Sequence, residues 1–264
     1  MTGTLGLKLF LVPGLIYAVT IAGRRWGPVV AGWLSAFPIV SGPILLAVTL
    51  EQGAPFGADA AAGTLLAVIA ILVFSLVYAW ASGWFGVSGS MSCALAVYGA
   101  TVAGLQSIHL PLGICFAIVL CGLLIARRCF PPLPARPERL VQPAMSESSR
   151  GDLPWRMISG ATLVVLVTWA APRLGARLSG FLAMFPVMST VLVGFSHHYS
   201  GRAFAVSLLR GMIFGYFAFA TFCLVVALLL REQSVVVAFS TALLCALVVQ
   251  LGVRKLVYSK QLSL

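Results

Sequence analysis

Acidic residues are what this chain has least of. Six Asp and Glu stand against 17 Lys and Arg in 264 residues, with three histidines. Charged residues make up 9% of the whole, where a soluble domain carries about a quarter. Enzyme sites gather several titratable groups, and this chain has few to gather. It holds no HExxH, GxSxG or Walker sequence and no acid-rich metal-binding motif. The six cysteines (Cys93, Cys115, Cys121, Cys129, Cys223 and Cys245) have no paired spacing, and no Cys/His set suggests zinc. The expectation is a protein that is not an enzyme, with no catalytic residue, no metal and no cofactor. No arginine-rich stretch is interleaved with aromatics, so no nucleic acid partner is expected either.

What the chain has instead is apolar length. Hydrophobic residues are 61% of it and run through the whole sequence. That places it in the polytopic membrane class. A bilayer forces backbone groups to pair within a helix or a closed barrel. The runs are continuous, not the alternating segments of about ten residues that a barrel shows. The expected fold class is therefore an all-α membrane helix bundle. The net charge of +11 reads as the cytoplasmic Lys and Arg excess that orients membrane helices.

One stretch occurs twice. Gly32-Trp-Leu-Ser-Ala-Phe-Pro-Ile-Val-Ser41 returns as Gly180-Phe-Leu-Ala-Met-Phe-Pro-Val-Met-Ser189, a shift of 180 − 32 = 148 positions. Gapless matches continue on both sides, including Arg25/Arg173, Gly27/Gly175, Gly53/Gly201, Phe56/Phe204 and Gly63/Gly211. The chain reads as a duplicated unit with a helix-breaking proline inside a buried segment of each half.

Nine spans are expected. Five precede the linker: about Leu5 to Ala22, Pro28 to Leu50, Ala60 to Trp80, Val87 to Leu105 and Pro111 to Ala126. Four follow it: about Trp155 to Ala171, Leu178 to His198, Ala203 to Leu230 and Ser234 to Leu251. The first competes with a signal peptide. The repeat maps its Lys8 onto Arg156, at the start of an internal span, so it is kept as a membrane helix. Glu51 to Ala58 reads as a loop. Arg127 to Trp155 reads as the linker, its first part extended through Pro131, Pro132, Pro134, Pro137 and Pro143, the rest flexible from Ser146 to Asp152. Residues 1–106 are then an N-terminal four-helix repeat. Residues 107–155 are a connector helix with a Pro-rich cytoplasmic linker, and 156–264 a C-terminal four-helix repeat.

Four spans, one extra and four more put an odd number of crossings between corresponding helices, so the halves are expected to be inverted. With the N-terminus outside and the C-terminus inside, thirteen of the 17 cations fall on the cytoplasmic side. Only Lys8, Arg173, Arg177 and Arg231 fall outside, in keeping with the positive-inside rule.

The pattern Gly-x-x-x-x-Phe-Pro in a second apolar span, followed by a Gly and an Arg-Gly helix start, resembles the GlpM family of small bacterial inner-membrane proteins. The second half carries it best, in Gly180 to Ser189, His198, Gly201 and Leu209-Arg210-Gly211. The resemblance implies two GlpM-like units fused through a connector helix and descended from a dual-topology dimer. It also implies a multi-pass location in the bacterial cytoplasmic (inner) membrane. It implies no activity.

Proline has no N–H, and its ring clashes with the carbonyl four residues earlier. Those carbonyls belong to Leu34 and Leu182. Ser41 and Ser189, one turn on, are placed to re-satisfy the loosened backbone. Inverted-repeat transporters bind substrate at such breaks near the midplane. The candidate substrate-binding residues are therefore Leu34, Phe37, Pro38 and Ser41, facing Leu182, Phe185, Pro186 and Ser189; the plainer alternative is a kink that only shapes the bundle. Glu51, His197 and His198 are candidates for coupling or gating, against a plainer reading as groups facing water. Lys8 and Arg156 read as cations snorkelling to the interface.

The leading functional reading is a secondary transporter or exporter of a small molecule or lipid-linked solute, working by alternating access. The other is a non-transporting scaffold or assembly subunit of an envelope-biosynthesis complex, docked through the Ser/Gly/Ala-rich fourth span. The expected partners are the lipid bilayer, a small-molecule or lipid substrate, and a second copy of the chain or another membrane protein.

Overall fold

The computed structural model describes residues 2–38, 41–107, 110–133, 152–170 and 185–261. Among them every regular element is a helix. In chain order these are α1 (Thr2–Trp26), α2 (Pro28–Ser35), α3 (Ser41–Gln52), α4 (Ala54–Ala81), α5 (Val87–Leu105), α6 (Leu112–Cys129), α7 (Leu153–Ala170), α8 (Val187–Leu229) and α9 (Val235–Gln261).

The nine described helices equal the nine expected spans in number but do not map one to one. The second span is two helices, α2 and α3, because the chain leaves helical geometry before Pro38. The eighth span and the described end of the seventh run together as α8, bent at Gly201. There φ is 82° and ψ 171°, a conformation that L side chains rarely adopt. Gly53, at the same place in the 148-residue register (201 − 53), has φ 94° and ψ 163° and joins α3 to α4. The loop expected over Glu51 to Ala58 is thus a single glycine. Pro55 does not prevent this, since a proline in a helix's first turn gives up an N–H that has no partner there.

Four of these helices, together with Val235–Val253 of α9, are long and apolar enough to cross a membrane; the four are α4, α5, α6 and α8. With 28 residues, α4 is about 42 Å long, the thickness of a bilayer with its headgroups. α4 and α8 form the centre and bury Phe74, Tyr78, Leu209, Phe219 and Phe222. Around them α5, α6, α7 and α9 turn apolar side chains outward, among them Ile125, Leu166, Leu244 and Val248. In water that surface would be a liability; against lipid it is the ordinary exterior.

α2 crosses α8 with backbone nearly touching backbone. A Cβ on Gly32 would meet the Leu208 carbonyl, and one on Gly211 the Val29 carbonyl. One turn on, a Cβ on Gly215 would lie 2.6 Å from both Ala36 Cβ and the Trp33 carbonyl. Gly211 and Gly215 form a GxxxG pair, facing Gly32 and Ala36 at the same spacing. Small residues permit this approach, and dispersion between the helices holds it.

The two ends of the bundle differ. At one, Arg24 meets Asp152, Arg156 meets Ser196, Arg202 bonds Ser82, and Trp80 bonds the Cys129 carbonyl. At the other, exposed Asp59 and Arg231 lie 3.9 Å apart. Each of these contacts joins residues that the charge count assigns to the same side. Trp26, Trp80, Trp84, Phe85, Trp155 and Tyr199 are exposed at the arginine-rich end, where a membrane interface collects aromatic rings.

Candidate functional site

The two Phe-Pro breaks have different local solutions. In the first, the Phe37 N–H turns back to the Leu34 carbonyl at 3.2 Å, and the Gly42 N–H reaches the Pro38 carbonyl at 3.0 Å. Leu34, whose carbonyl loses its partner to the proline, is thereby satisfied locally. In turning back, the Phe37 N–H leaves the Trp33 carbonyl without its helical partner. That carbonyl accepts from Gln250 Nε2 on α9 at 3.1 Å, across 217 residues of sequence. In the second break Pro186 has φ −74° and ψ 53°, and the Val187 N–H bonds the Phe185 carbonyl at 2.6 Å. That is an inverse γ-turn, and it starts α8.

Gln250 is buried, and sequence reasoning did not single it out. Gln250→Leu keeps the bulk and leaves a buried carbonyl unpaired, which costs about 1–3 kcal/mol. A lower midpoint in a detergent thermal-unfolding assay is the expected result; an unchanged midpoint would mean that the Trp33 carbonyl has another partner.

Both prolines are buried, so neither faces lipid. Leu34, Phe37 and Phe185 are half-buried and packed against the core. Phe185 meets Tyr98 edge-to-face, with ring centroids 5.9 Å apart. Ser41 is the first residue of α3. Leu182 lies outside the described residues. Ser189 does not repair backbone, as the sequence suggested. Its hydroxyl lies 3.3 Å from Met212 Sδ, which Tyr216 OH also approaches at 4.0 Å. The same residue underlies the first break, since a Cβ on Gly32 would lie 2.8 Å from Met212 N. Both Phe-Pro segments therefore reach one stretch of α8, centred on Met212.

The larger surprise is ionic. Asp152, placed by sequence in a flexible linker, is buried with none of its side chain exposed. Its Oδ2 accepts from Arg156 Nε at 2.8 Å and lies 2.7 Å from Arg156 Nη2; its Oδ1 accepts from Arg24 Nη2 at 3.1 Å. Arg156 is 4% exposed, so it does not snorkel. It donates its remaining Nη1 to Ser196 Oγ at 3.3 Å, and its guanidinium lies 5.4 Å from the Phe195 ring. A carboxylate four residues before an arginine is helical spacing, so this pair was readable once α7 was extended by one turn. Arg24 was not readable, because it comes from a helix 128 residues away.

This cluster borders a narrow, open cleft between α1, α2, α7 and both arms of α8. Its walls include Thr20, Arg24, Ala31, Arg156, Ser196 and Leu208. Of the candidates for coupling, His197 is half-buried, with Nδ1 2.8 Å from Tyr78 OH. His198 is exposed and stacks edge-on against Tyr199 at 4.7 Å. Glu51 is exposed at the end of α3, away from the cleft. The side chain of Lys8 lies outside the described ones.

Comparison of the chain with family models, with characterised proteins and with solved structures finds no match.

Proposed function

We propose that the protein is a secondary transporter or exporter of a small molecule or lipid-linked solute, two GlpM-like units fused in inverted orientation in a bacterial inner membrane. The observation that carries this reading is the pairing of interruptions. Each half has a Phe-Pro pair at a described helix boundary followed, at the same offset, by a glycine of positive φ, Gly53 or Gly201. Both breaks reach the same segment of α8. A bundle that only needed to stand in a membrane has no need of a buried proline at a helix boundary in each half. Broken helices expose backbone groups and helix ends to a solute, and glycine joints absorb changes of angle. The cleft between α1, α2, α7 and α8 is then the approach from the arginine-rich side, which the positive-inside rule makes cytoplasmic.

Alternating access requires the two sides of that cleft to move. Spin labels at Arg25→Cys and Tyr199→Cys, in a background with the six native cysteines replaced, report the distance across it. Two resolved distance populations are expected by double electron–electron resonance in reconstituted bilayers. A single narrow population would sink the transporter reading.

One observation favours the scaffold reading. α5 presents Gly99 and Gly104 with open space at their Cβ positions, a surface on which a partner helix could pack closely. Co-purification of a second membrane protein, lost in Gly99→Leu, is its expected result.

A further inference from the structure

The bend of α8 is gripped on both sides by the end of α4. Its pivot is Gly201, with φ 82°, a residue type whose backbone accepts many angles. Tyr78 and Ser82, the latter at the C-cap of α4, are four residues apart and share one helix face. Tyr78 OH lies 2.8 Å from His197 Nδ1, on the arm before the pivot. Ser82 Oγ accepts from Arg202 Nε at 3.2 Å, on the arm after it. The first arm supplies Leu192, Ser196 and Ser200 to the cleft wall, and the second supplies Phe204 and Leu208. The angle at Gly201 therefore sets the width of the cleft.

The two grips differ in chemistry. Guanidinium does not titrate at physiological pH; imidazole does. Tyr78 is fully buried, and Nδ1 of His197 is the acceptor that faces its hydroxyl. With the phenol donating to Nδ1, the neutral ring carries its own proton on Nε2. A proton added at Nδ1 turns that acceptor into a donor. The phenol proton is then left unpaired in a buried place, which is unfavourable. The added charge also stands within reach of the Arg202 charge.

Other groups near this arm do not compensate. Among the described residues no carboxylate bonds the imidazole. α2 and α5 contain no charged residue and no histidine. α7 brings Arg156 and Asp152, which bond each other, and Arg156 bonds Ser196. Arg24 of α1 bonds the same Asp152. α6 turns Arg127 to Phe214 on the second arm. His198 is exposed against Tyr199.

We propose that His197 is a proton-operated clasp on the Gly201 joint. Neutral, it holds the first arm of α8 to Tyr78; charged, it lets that arm turn away from α4 while Arg202 keeps the second arm on Ser82. His197 is half-buried and is followed by exposed His198, Tyr199 and Ser200, so protons reach it from the arginine-rich side. The clasp rests on the geometry of the joint and needs no solute. Under the transporter reading it makes the proton the ion that opens the cleft.

The test follows amide hydrogen exchange by mass spectrometry on the full-length protein in lipid nanodiscs. His197→Asn is the informative variant: its Oδ1 takes the place of Nδ1 as acceptor and cannot be charged. Comparing variant and parent at one pH removes the intrinsic pH dependence of exchange. At about pH 5, below the ordinary imidazole range, residues 187–200 of the parent are expected to exchange about tenfold faster than those of His197→Asn. At about pH 8 the two are expected to agree. Tyr78→Phe removes the donor and is expected to exchange faster than the parent in this segment at the higher pH. Residues 203–229 are expected to exchange alike in parent and variants, and His198→Asn to match the parent throughout. Equal exchange in parent and His197→Asn at the lower pH, an unaltered Tyr78→Phe, equal loosening of both arms, or a response lost in His198→Asn would each overturn the proposal. Exchange is read separately from the spin-label distances, so failure of one leaves the other standing.

Discussion

Asp152→Ala is expected to destabilise the protein by about 3–5 kcal/mol, the cost of breaking a buried ion pair from one side. The carboxylate joins the C-terminal end of α1 to the first turn of α7 and is wholly enclosed. Without it, Arg156 would be a buried cation left against Ser196 Oγ and the Phe195 ring. Spread over a chain of this size, such a loss lowers the unfolding midpoint by on the order of 10 °C. Asp152→Asn should lose most of the same stability, because an amide keeps a hydrogen bond and gives up the charge. The double variant Asp152→Ala, Arg156→Met should recover part of the loss. It removes the stranded cation, and an apolar pair of similar volume is often neutral. A double-mutant cycle by thermal unfolding measures this coupling. If Asp152→Ala unfolds at the parent's temperature, the cluster does not hold the bundle together.

Gly211→Ala is the second large effect. Its Cβ would run into the Val29 carbonyl, and the obstruction is backbone on both sides. No side chain can swing away, so α2 and α8 must separate. Overpacking a tight core costs about 1–3 kcal/mol even when side chains can adjust; here the upper part of that range is expected. Gly32→Ala, pressing on the Leu208 carbonyl from the other helix, should behave alike. Gly99→Ala on α5 has nothing within 4 Å of the new methyl. It is expected to gain about 0.5–1 kcal/mol, since alanine is the better helix former. Opposite signs at two helical glycines, read in one unfolding assay, isolate the crossing from any general effect of alanine. A harmless Gly211→Ala would mean that the helices do not cross this closely.

The glycine joints show how far sequence reasoning reached. The 148-residue register paired Gly53 with Gly201 from residue identity alone, and both have positive φ. The register also paired Phe37-Pro38 with Phe185-Pro186, and both prolines mark helix boundaries. Such features are legible because a proline without an N–H and a glycine without a Cβ act on their own few residues. The Glu51 to Ala58 loop was misjudged because Gly and Pro there suggested an irregular segment. In fact one serves as the joint and the other as a first-turn residue.

Asp152 and Gln250 fared differently. One sat at the edge of a polar, proline-rich segment, with its near partner Arg156 readable only once α7 is extended by a turn; the other sat inside an apolar run that announced no partner. Each has a partner more than a hundred positions away that no local pattern could reveal: Arg24 for Asp152, and the carbonyl of Trp33 for Gln250.

Sequence by itself determined that this chain is helical and apolar enough for a membrane. It also placed Phe-Pro pairs at Pro38 and Pro186, where described helices end or begin. Those properties follow from composition, from backbone chemistry at Pro and Gly, and from the bilayer's demand that every peptide group be paired. Tertiary structure alone decided which helices touch, because contact depends on shape at a given crossing: Gly32 on Gly211, Ser189 on Met212. It alone decided that Asp152 is a buried partner and not linker. A carboxylate leaves water only where cations are already positioned to receive it, and Arg24 and Arg156 are brought together by the packing of α1 on α7.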